Sequence, residues 1–242
     1  MKTTHLIHRE LQLTADGSHT LFVPEMNEHY HSVNGACQES EHIFIRAGLQ
    51  EVPKKEIQLL EIGFGTGLNA LLTLKAIEEA ACQRIVYHTI ELYPLPPETI
   101  KALNYGDRIW PERKDLFFAL HEAAWNKEVR ISNWFVLHKI QGDCRLCTFP
   151  SNIDLIYFDA FAPEKQPEMW TQAMYEKLYQ CAAEGAVLTT YCAKGEVRRG
   201  MQAAGFEMER LPGPPGKRHI LRGRKRITSV PGLQSPATPC LP

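Results

Sequence analysis

The chain has 242 residues, 27 Lys+Arg against 28 Asp+Glu, a formal net charge of -1 and 44% hydrophobic residues. That length and apolar content provide a real core and exclude disorder as the default, while near-neutrality argues against an indiscriminate polyanion binder. The longest apolar runs, such as Ile153 to Phe158, stop far short of the ~20 residues of a membrane helix, and no signal-peptide core follows Met1, so a soluble cytoplasmic protein without membrane contact is expected. Seven cysteines without framework spacing point to reduced thiols.

In chain order, Leu6 to Val23 reads as a hairpin turning at Asp16-Gly17 and Ser40 to Ala47 as a helix, so residues 1–50 form an N-terminal cap segment. From 51 to 228, strands alternate with helices. The strand candidates are Gln58 to Ile62, Ile85 to Ile90, Trp134 to Gln141, Ile153 to Phe158 and Ala186 to Tyr191. The helices are Leu68 to Ala81, Pro97 to Asn104, Lys114 to Trp125, Pro167 to Ala183 and Gly195 to Ala204, the last ending at the C-cap Gly205. Two final strands, Phe206 to Leu211 and Arg218 to Arg222, are joined by the turn Pro212-Gly213-Pro214-Pro215-Gly216 and should pair antiparallel. The fold class is α/β, a Rossmann-like doubly wound sheet with an antiparallel terminal strand. Residues 229–242, with four prolines and no charge, read as a flexible tail.

The first strand of the alternation runs into Glu61-Ile62-Gly63-Phe64-Gly65-Thr66-Gly67-Leu68-Asn69, directly before a helix. Glycines at such a turn let the backbone approach a ligand, and the helix N-terminus offers free N–H groups. The dinucleotide spacing is G-x-G-x-x-G, whereas this loop is G-x-G-x-G with an acid two residues ahead. An acid there suits a cationic amino-acid group better than a pyrophosphate, so S-adenosyl-L-methionine fits better than NAD. Glu91 ends the next strand, where doubly wound folds place a carboxylate on ribose hydroxyls, and Asp143 follows the third, where it could accept from an adenine amino group. Asp159 and Phe161 follow the fourth strand, facing the acceptor as contact and base-stacking residues, whereas Trp170 is read as core packing.

Other constellations lack support. Cys144-x-x-Cys147 has no second pair, His29-x-His31 with His42 could ligate a metal but reads as scattered surface or satisfied histidines, and no G-x-S-x-G, H-E-x-x-H or Walker sequence is present. No metal site is expected. Charge is nevertheless uneven: residues 194–226 hold ten basic residues against three acidic ones, a local +7 that leaves -8 elsewhere. This is either a solvated end or one face for a polyanion.

Together these residues resemble the MnmC N-terminal domain and the MnmD-type tRNA methyltransferases. The resemblance rests on Asn34-Gly35-Ala36, Glu39-Ser40-Glu41-His42, the loop from Leu60 to Asn69, Glu91 with Tyr93-Pro94-Leu95, Asp159 through Pro163, Pro167-Glu168-Met169-Trp170, Val197-Arg198-Arg199-Gly200 and Gly216-Lys217-Arg218. The family's usual Asp-Gly-Phe is Asp159-Ala160-Phe161 here. The resemblance implies a class I methyltransferase that uses S-adenosyl-L-methionine to methylate the 5-aminomethyl group of a wobble uridine, often 2-thiolated, in tRNA. It implies Glu61, Gly63, Gly65, Thr66, Gly67, Asn69, Glu91, Asp143 and Asp159 at the cofactor, Asp159 orienting the amine with Phe161 on the base, and Lys165, Arg198, Arg199, Lys217 and Arg218 at the tRNA. The chain ends before any FAD-dependent oxidase domain, so FAD is not expected and other enzymes should supply the aminomethyl substrate. The oligomeric state is left open. Competing readings are a small-molecule or protein amine methyltransferase, an NAD-dependent oxidoreductase and a noncatalytic binding module.

Overall fold

The computed structural model describes residues 7–227. Its N-terminal segment is a three-stranded antiparallel sheet, β1 (Glu10–Leu13), β2 (His19–Val23) and β3 (Glu28–His29), so the expected hairpin gains a third strand. The tail expected at 229–242 and the hairpin's first residue, Leu6, lie outside the described residues. Helix α1 (Ala36–Ser40) starts earlier than expected and continues as a π-helical turn, Glu41–Arg46. Ile43, Phe44 and Ile45 of that turn are buried in the main core, with the Phe44 ring centred 4.9 Å from that of Tyr157.

The alternating part then runs β4 (Glu56–Ile62), α2 (Leu68–Ala80), β5 (Arg84–Glu91), α3 (Pro97–Ala102), α4 (Tyr105–Ile109), α5 (Lys114–Glu122), β6 (Glu128–Arg130), β7 (Phe135–Gln141), β8 (Ile153–Phe158), α6 (Gln172–Cys181), β9 (Ala182–Thr190), α7 (Gly195–Ala204), β10 (Glu207–Pro212) and β11 (His219–Arg224). The sheet order is β10-β11-β9-β8-β4-β5-β7-β6. Its five inner strands, β9, β8, β4, β5 and β7, are mutually parallel. All six residues of β8 are buried, as expected of a parallel strand covered on both faces, and its one charged residue, Asp154, is paired with Lys54 Nζ at 2.5 Å. Leu59, Tyr87 and Leu137 face α2 and α5, whereas Leu60, Ile62 and Phe158 face α6 and α7.

The last two strands pair antiparallel as expected, but β11, not β10, lies beside β9, so the chain's final strand is inserted antiparallel within the sheet. The helix expected over Pro167 to Ala183 is shorter. A single 3-10 turn covers Pro167–Met169, α6 begins only after Thr171, whose Oγ1 accepts from Met174 N at 3.3 Å, and the chain enters β9 at Ala182. From β4 the strands step outward through β5 to β7, then return to the other side for β8 and β9. Their order therefore reverses between β4 and β8, where open α/β sheets bind ligands beyond the carboxyl ends of the strands.

Candidate active site

A cavity of about 840 Å³ opens at that switch point. Its floor is the glycine loop. Gly63, Gly65 and Gly67 all have positive φ, at 92°, 48° and 73°. A Cβ on Gly63 would stand 3.2 Å from the Asp159 carbonyl oxygen and one on Gly65 3.1 Å from the Tyr30 ring, so side chains there would crowd the cavity. Thr66 is held from both sides: His31 Nε2 lies 2.7 Å from its Oγ1, and His121 Nε2 donates to its carbonyl oxygen at 3.1 Å. Burial pushes both imidazoles down to about 4, so they are neutral at pH 7. Lys139, 1% exposed and packed between Phe64 and Trp125, donates to the His121 carbonyl at 2.5 Å and completes this support.

The three acids expected at the strand ends play unlike parts. Glu91 lines the cavity, its Oε2 accepting from Gly65 N at 2.9 Å and its Oε1 from Tyr93 N at 2.8 Å, which ties the glycine loop to the end of β5. Asp143 also lines it, but Arg145 claims both carboxylate oxygens through its backbone and guanidinium N–H groups, holding the carboxyl below its ordinary range. Glu61 does not line the cavity. Strand alternation turns it toward α2, 1% exposed, with Oε2 accepting from Thr89 Oγ1 at 2.8 Å and Oε1 unpartnered. Burial pushes its carboxyl up to about 8, the Asp159 charge adding to the effect while the Thr89 hydrogen bond and the polar groups of Asn69 and Tyr87 nearby oppose it. Glu61 thus stands behind the wall as a largely protonated group.

The sign of this shift is testable. A folded-state pKa raised from 4.5 to about 8 contributes stability that is complete below 4.5 and lost as pH rises through 8. Glu61→Gln keeps an acceptor for Thr89 and cannot ionise. Its stability relative to the wild type should therefore rise between pH 5 and 8, by at most about 1.4 kcal/mol per pH unit. Paired denaturation midpoints across that range would measure it, and a constant difference would contradict the burial argument.

Beyond β8, Asp159 sits at the cavity floor. Asn69, in the first turn of α2, donates from Nδ2 to Asp159 Oδ2 at 2.9 Å, and its own Oδ1 is buried with no partner. Burial drives the Asp159 carboxyl up to about 7; the Asn69 bond and the Lys217 charge pull it down, and Glu39 pushes it up. Three contacts fix the loop that follows: Trp170 Nε1 donates to the Phe161 carbonyl at 2.7 Å, Tyr191 Oη to that of Ala160 at 2.8 Å, and Phe161 N to Gln166 Oε1 at 3.3 Å. Trp170 packs on Phe158 as expected and also orients this loop. The Phe161 ring meets Tyr30 edge to face at 5.1 Å, so the N-terminal sheet roofs the site.

A sequence model of the S-adenosyl-L-methionine-dependent methyltransferases matches residues 116–226. A protein of Stutzerimonas stutzeri named tRNA 5-methylaminomethyl-2-thiouridine biosynthesis bifunctional protein MnmC is 32% identical over 226 residues, covering 86% of this chain and 33% of its own length. The Aeromonas salmonicida protein of the same name is 32% identical over 268 residues, covering 98% of this chain and 39% of its own. The chain therefore spans about a third of the length of the curated relatives it matches. The solved structure of MNMC2 from Aquifex aeolicus superposes with a TM-score of 0.73 at 24% identity, over 96% of this chain and 74% of that one. The chain belongs to the S-adenosyl-L-methionine-dependent methyltransferases. The resemblance to MnmC read from the motifs is borne out by these matches, as are the fold class and the cofactor.

The site of this methyltransferase fits that cofactor on its own evidence: a glycine cradle that any Cβ would fill, a carboxylate at the end of β5, and Asn69 in the cavity wall with its buried Oδ1 unpartnered. The basic segment is less free than its +7 suggests. Lys194 pairs with Glu164, Arg222 with Glu51 and Glu209, Arg224 with Glu51, Arg226 with Glu207 and Lys217 with Glu39, while Lys225 donates to the carbonyls of Tyr179 and Ala182. Register accounts for one of these pairs, since β10 and β11 set Glu209 opposite Arg222, whereas Arg224, opposite Glu207, turns to Glu51. Arg198, Arg199, Arg210 and Arg218 form no ion pair among the described residues. Lys165 stands exposed at the cavity rim, and Lys217 lines the cavity. Tyr30, Glu39 and Tyr191 line the site without having been singled out by spacing. The three histidines weighed as a metal site bind separate partners, Gln12, Thr66 and the Pro212 carbonyl.

Proposed function

We propose that the chain methylates the nitrogen of the 5-aminomethyl group on a wobble uridine of tRNA, with or without 2-thiolation, giving the 5-methylaminomethyl product. The observation that carries this reading is the acceptor end of the cavity, where a buried carboxylate, Asp159, lies beneath the aromatic pair Phe161 and Tyr30. A cationic amine on a planar base needs those two features. The names of the MnmC relatives support the same chemistry, although those proteins are about three times as long.

Glu91, Asn69 and the backbone from Gly63 to Thr66 would hold the cofactor. Bound S-adenosyl-L-methionine supplies an electrophilic methyl group on a sulfonium. The chain's task is then to present a neutral amine in line, and such positioning contributes up to about 7–11 kcal/mol. Asp159 accepts a proton from the acceptor's ammonium at Oδ1, the oxygen not bonded to Asn69, and keeps the freed lone pair aligned. With its carboxyl near 7, Asp159 suits proton acceptance better than orientation alone. The base would leave its stack to reach Phe161, an aromatic contact worth about 1–3 kcal/mol.

Charge reversal at Arg198 or Arg199, the unpaired arginines of α7, should raise the KM for tRNA and reduce the slope of its salt dependence by about one per lost phosphate contact. Unchanged KM and slope in both variants would remove α7 from the tRNA face. Mass spectrometry of wobble nucleosides from cells with and without the gene tests the reading as a whole. The aminomethyl nucleoside should accumulate when the gene is lost, and an unaltered nucleoside profile would count against it.

A further inference from the structure

Glu39, on α1, is 8% exposed and lines the cavity. Its Oε2 accepts from Ser32 N at 2.8 Å; its Oε1 takes no hydrogen bond of good geometry and lies 3.1 Å from Lys217 Nζ. That ammonium also stands 4.9 Å from the centre of the Tyr191 ring, the ring whose hydroxyl fixes the Asp159 loop. Lys217 comes from the β10–β11 turn, which is seated on the N-terminal cap: His42 Nε2 contacts the Pro212 carbonyl at 2.8 Å, and a Cβ on Gly216 would collide with Asn34. Glu39 and Lys217 both act on Asp159, with opposite signs. The acceptor end therefore holds two carboxylates and one ammonium over an aromatic face.

We propose that Glu39 is a second ligand of the acceptor's ammonium group, and that Lys217 occupies that ammonium's place in the free protein, between Glu39 and the Tyr191 ring, until the acceptor displaces it. This rests on the amine reading given above. A buried carboxylate left without a counterion is costly, so the position must be filled by one cation or another. Lysine suits an exchangeable occupant because its charge is compact and its stem flexible, whereas arginine would hold a carboxylate by a rigid fork. The tyrosine face that takes the lysine ammonium takes an aminomethyl cation by the same attraction. Once displaced, Lys217 remains close enough to disfavour a protonated amine beside it, which favours loss of the amine's proton before methyl transfer. Lys217 is then a competitor for binding and an aid to turnover, and the phosphate-contact role implied by its place in a basic segment does not apply to it.

The two roles give opposite signs in one experiment. The purified chain is assayed on tRNA carrying 5-aminomethyluridine at the wobble position, with cofactor affinity measured separately by calorimetry. Glu39→Gln keeps the acceptor for Ser32 N and removes the charge; it should raise the acceptor KM about tenfold or more with cofactor affinity within about twofold. Lys217→Met, which does not touch the Ser32 bond, should leave the acceptor KM unchanged or lower while kcat falls. A Glu39→Gln variant with wild-type KM, or a Lys217→Met variant with raised KM and a flatter salt dependence, overturns the proposal. A wild-type protein that transfers no methyl to this tRNA overturns the amine reading, and this inference with it.

Discussion

Asp159→Asn should lower kcat by about 10²- to 10⁴-fold, the usual contribution of a positioned general base, while affinity for S-adenosyl-L-methionine changes little. The substitution preserves shape and leaves Asn69 a partner for its Nδ2, so the glycine loop and the floor of the cavity keep their packing. What it removes is a proton acceptor. In the wild type, kcat/KM should rise with pH through about 7, because Asp159 must be ionised to accept the proton and burial holds its carboxyl near that value. In Asp159→Asn that acidic limb should disappear. Single-turnover rates across pH 5.5 to 8.5 with saturating cofactor provide the check, and a variant with wild-type turnover would remove Asp159 from the chemistry.

Glu91→Ala is expected to weaken S-adenosyl-L-methionine binding by roughly two orders of magnitude while retaining most of kcat at saturation. Two charge-assisted hydrogen bonds to hydroxyls at the end of β5 would be lost, each worth about 1.5–3 kcal/mol. The loop itself would also loosen, since Gly65 N loses its acceptor and the carboxylate no longer bridges Gly65 to Tyr93. Glu91→Gln separates these contributions, because its amide oxygen can serve Gly65 N while the charge is absent. It should fall between the wild type and Glu91→Ala in calorimetric titrations. Equal affinity in all three proteins would move the ribose end of the cofactor away from β5.

What could be read from the sequence was local. Gly63, Gly65 and Gly67 stand where a strand meets a helix, Glu91 and Asp143 close neighbouring strands, and Asp159 opens the loop after a largely apolar strand, so the strand-and-helix rhythm alone aligns them on one sheet edge. Side-chain facing was less legible. Glu61 precedes the glycines by two residues, yet the period-two alternation of β4 turns it under α2, and Asp143 is answered by Arg145 only two residues on. Contacts across long sequence separations left no signal: His31 and His121 grip Thr66 from 35 and 55 residues away, and Glu39 meets Lys217 only after the β10–β11 turn folds back onto the cap. For the same reason a count of basic residues overstated the free charge of the last strands, where Glu51, Glu207 and Glu209 answer the arginines. The insertion of β11 beside β9 likewise depends on packing at the sheet edge, since either strand of an antiparallel pair has the pattern to sit there.

The most direct test of the proposed activity uses the purified chain, methyl-labelled S-adenosyl-L-methionine and tRNA bearing 5-aminomethyluridine or its 2-thio form, followed by nucleoside mass spectrometry. The account predicts label in 5-methylaminomethyluridine at the wobble position, dependent on Asp159. Label in free amines or protein but none in that nucleoside would contradict it.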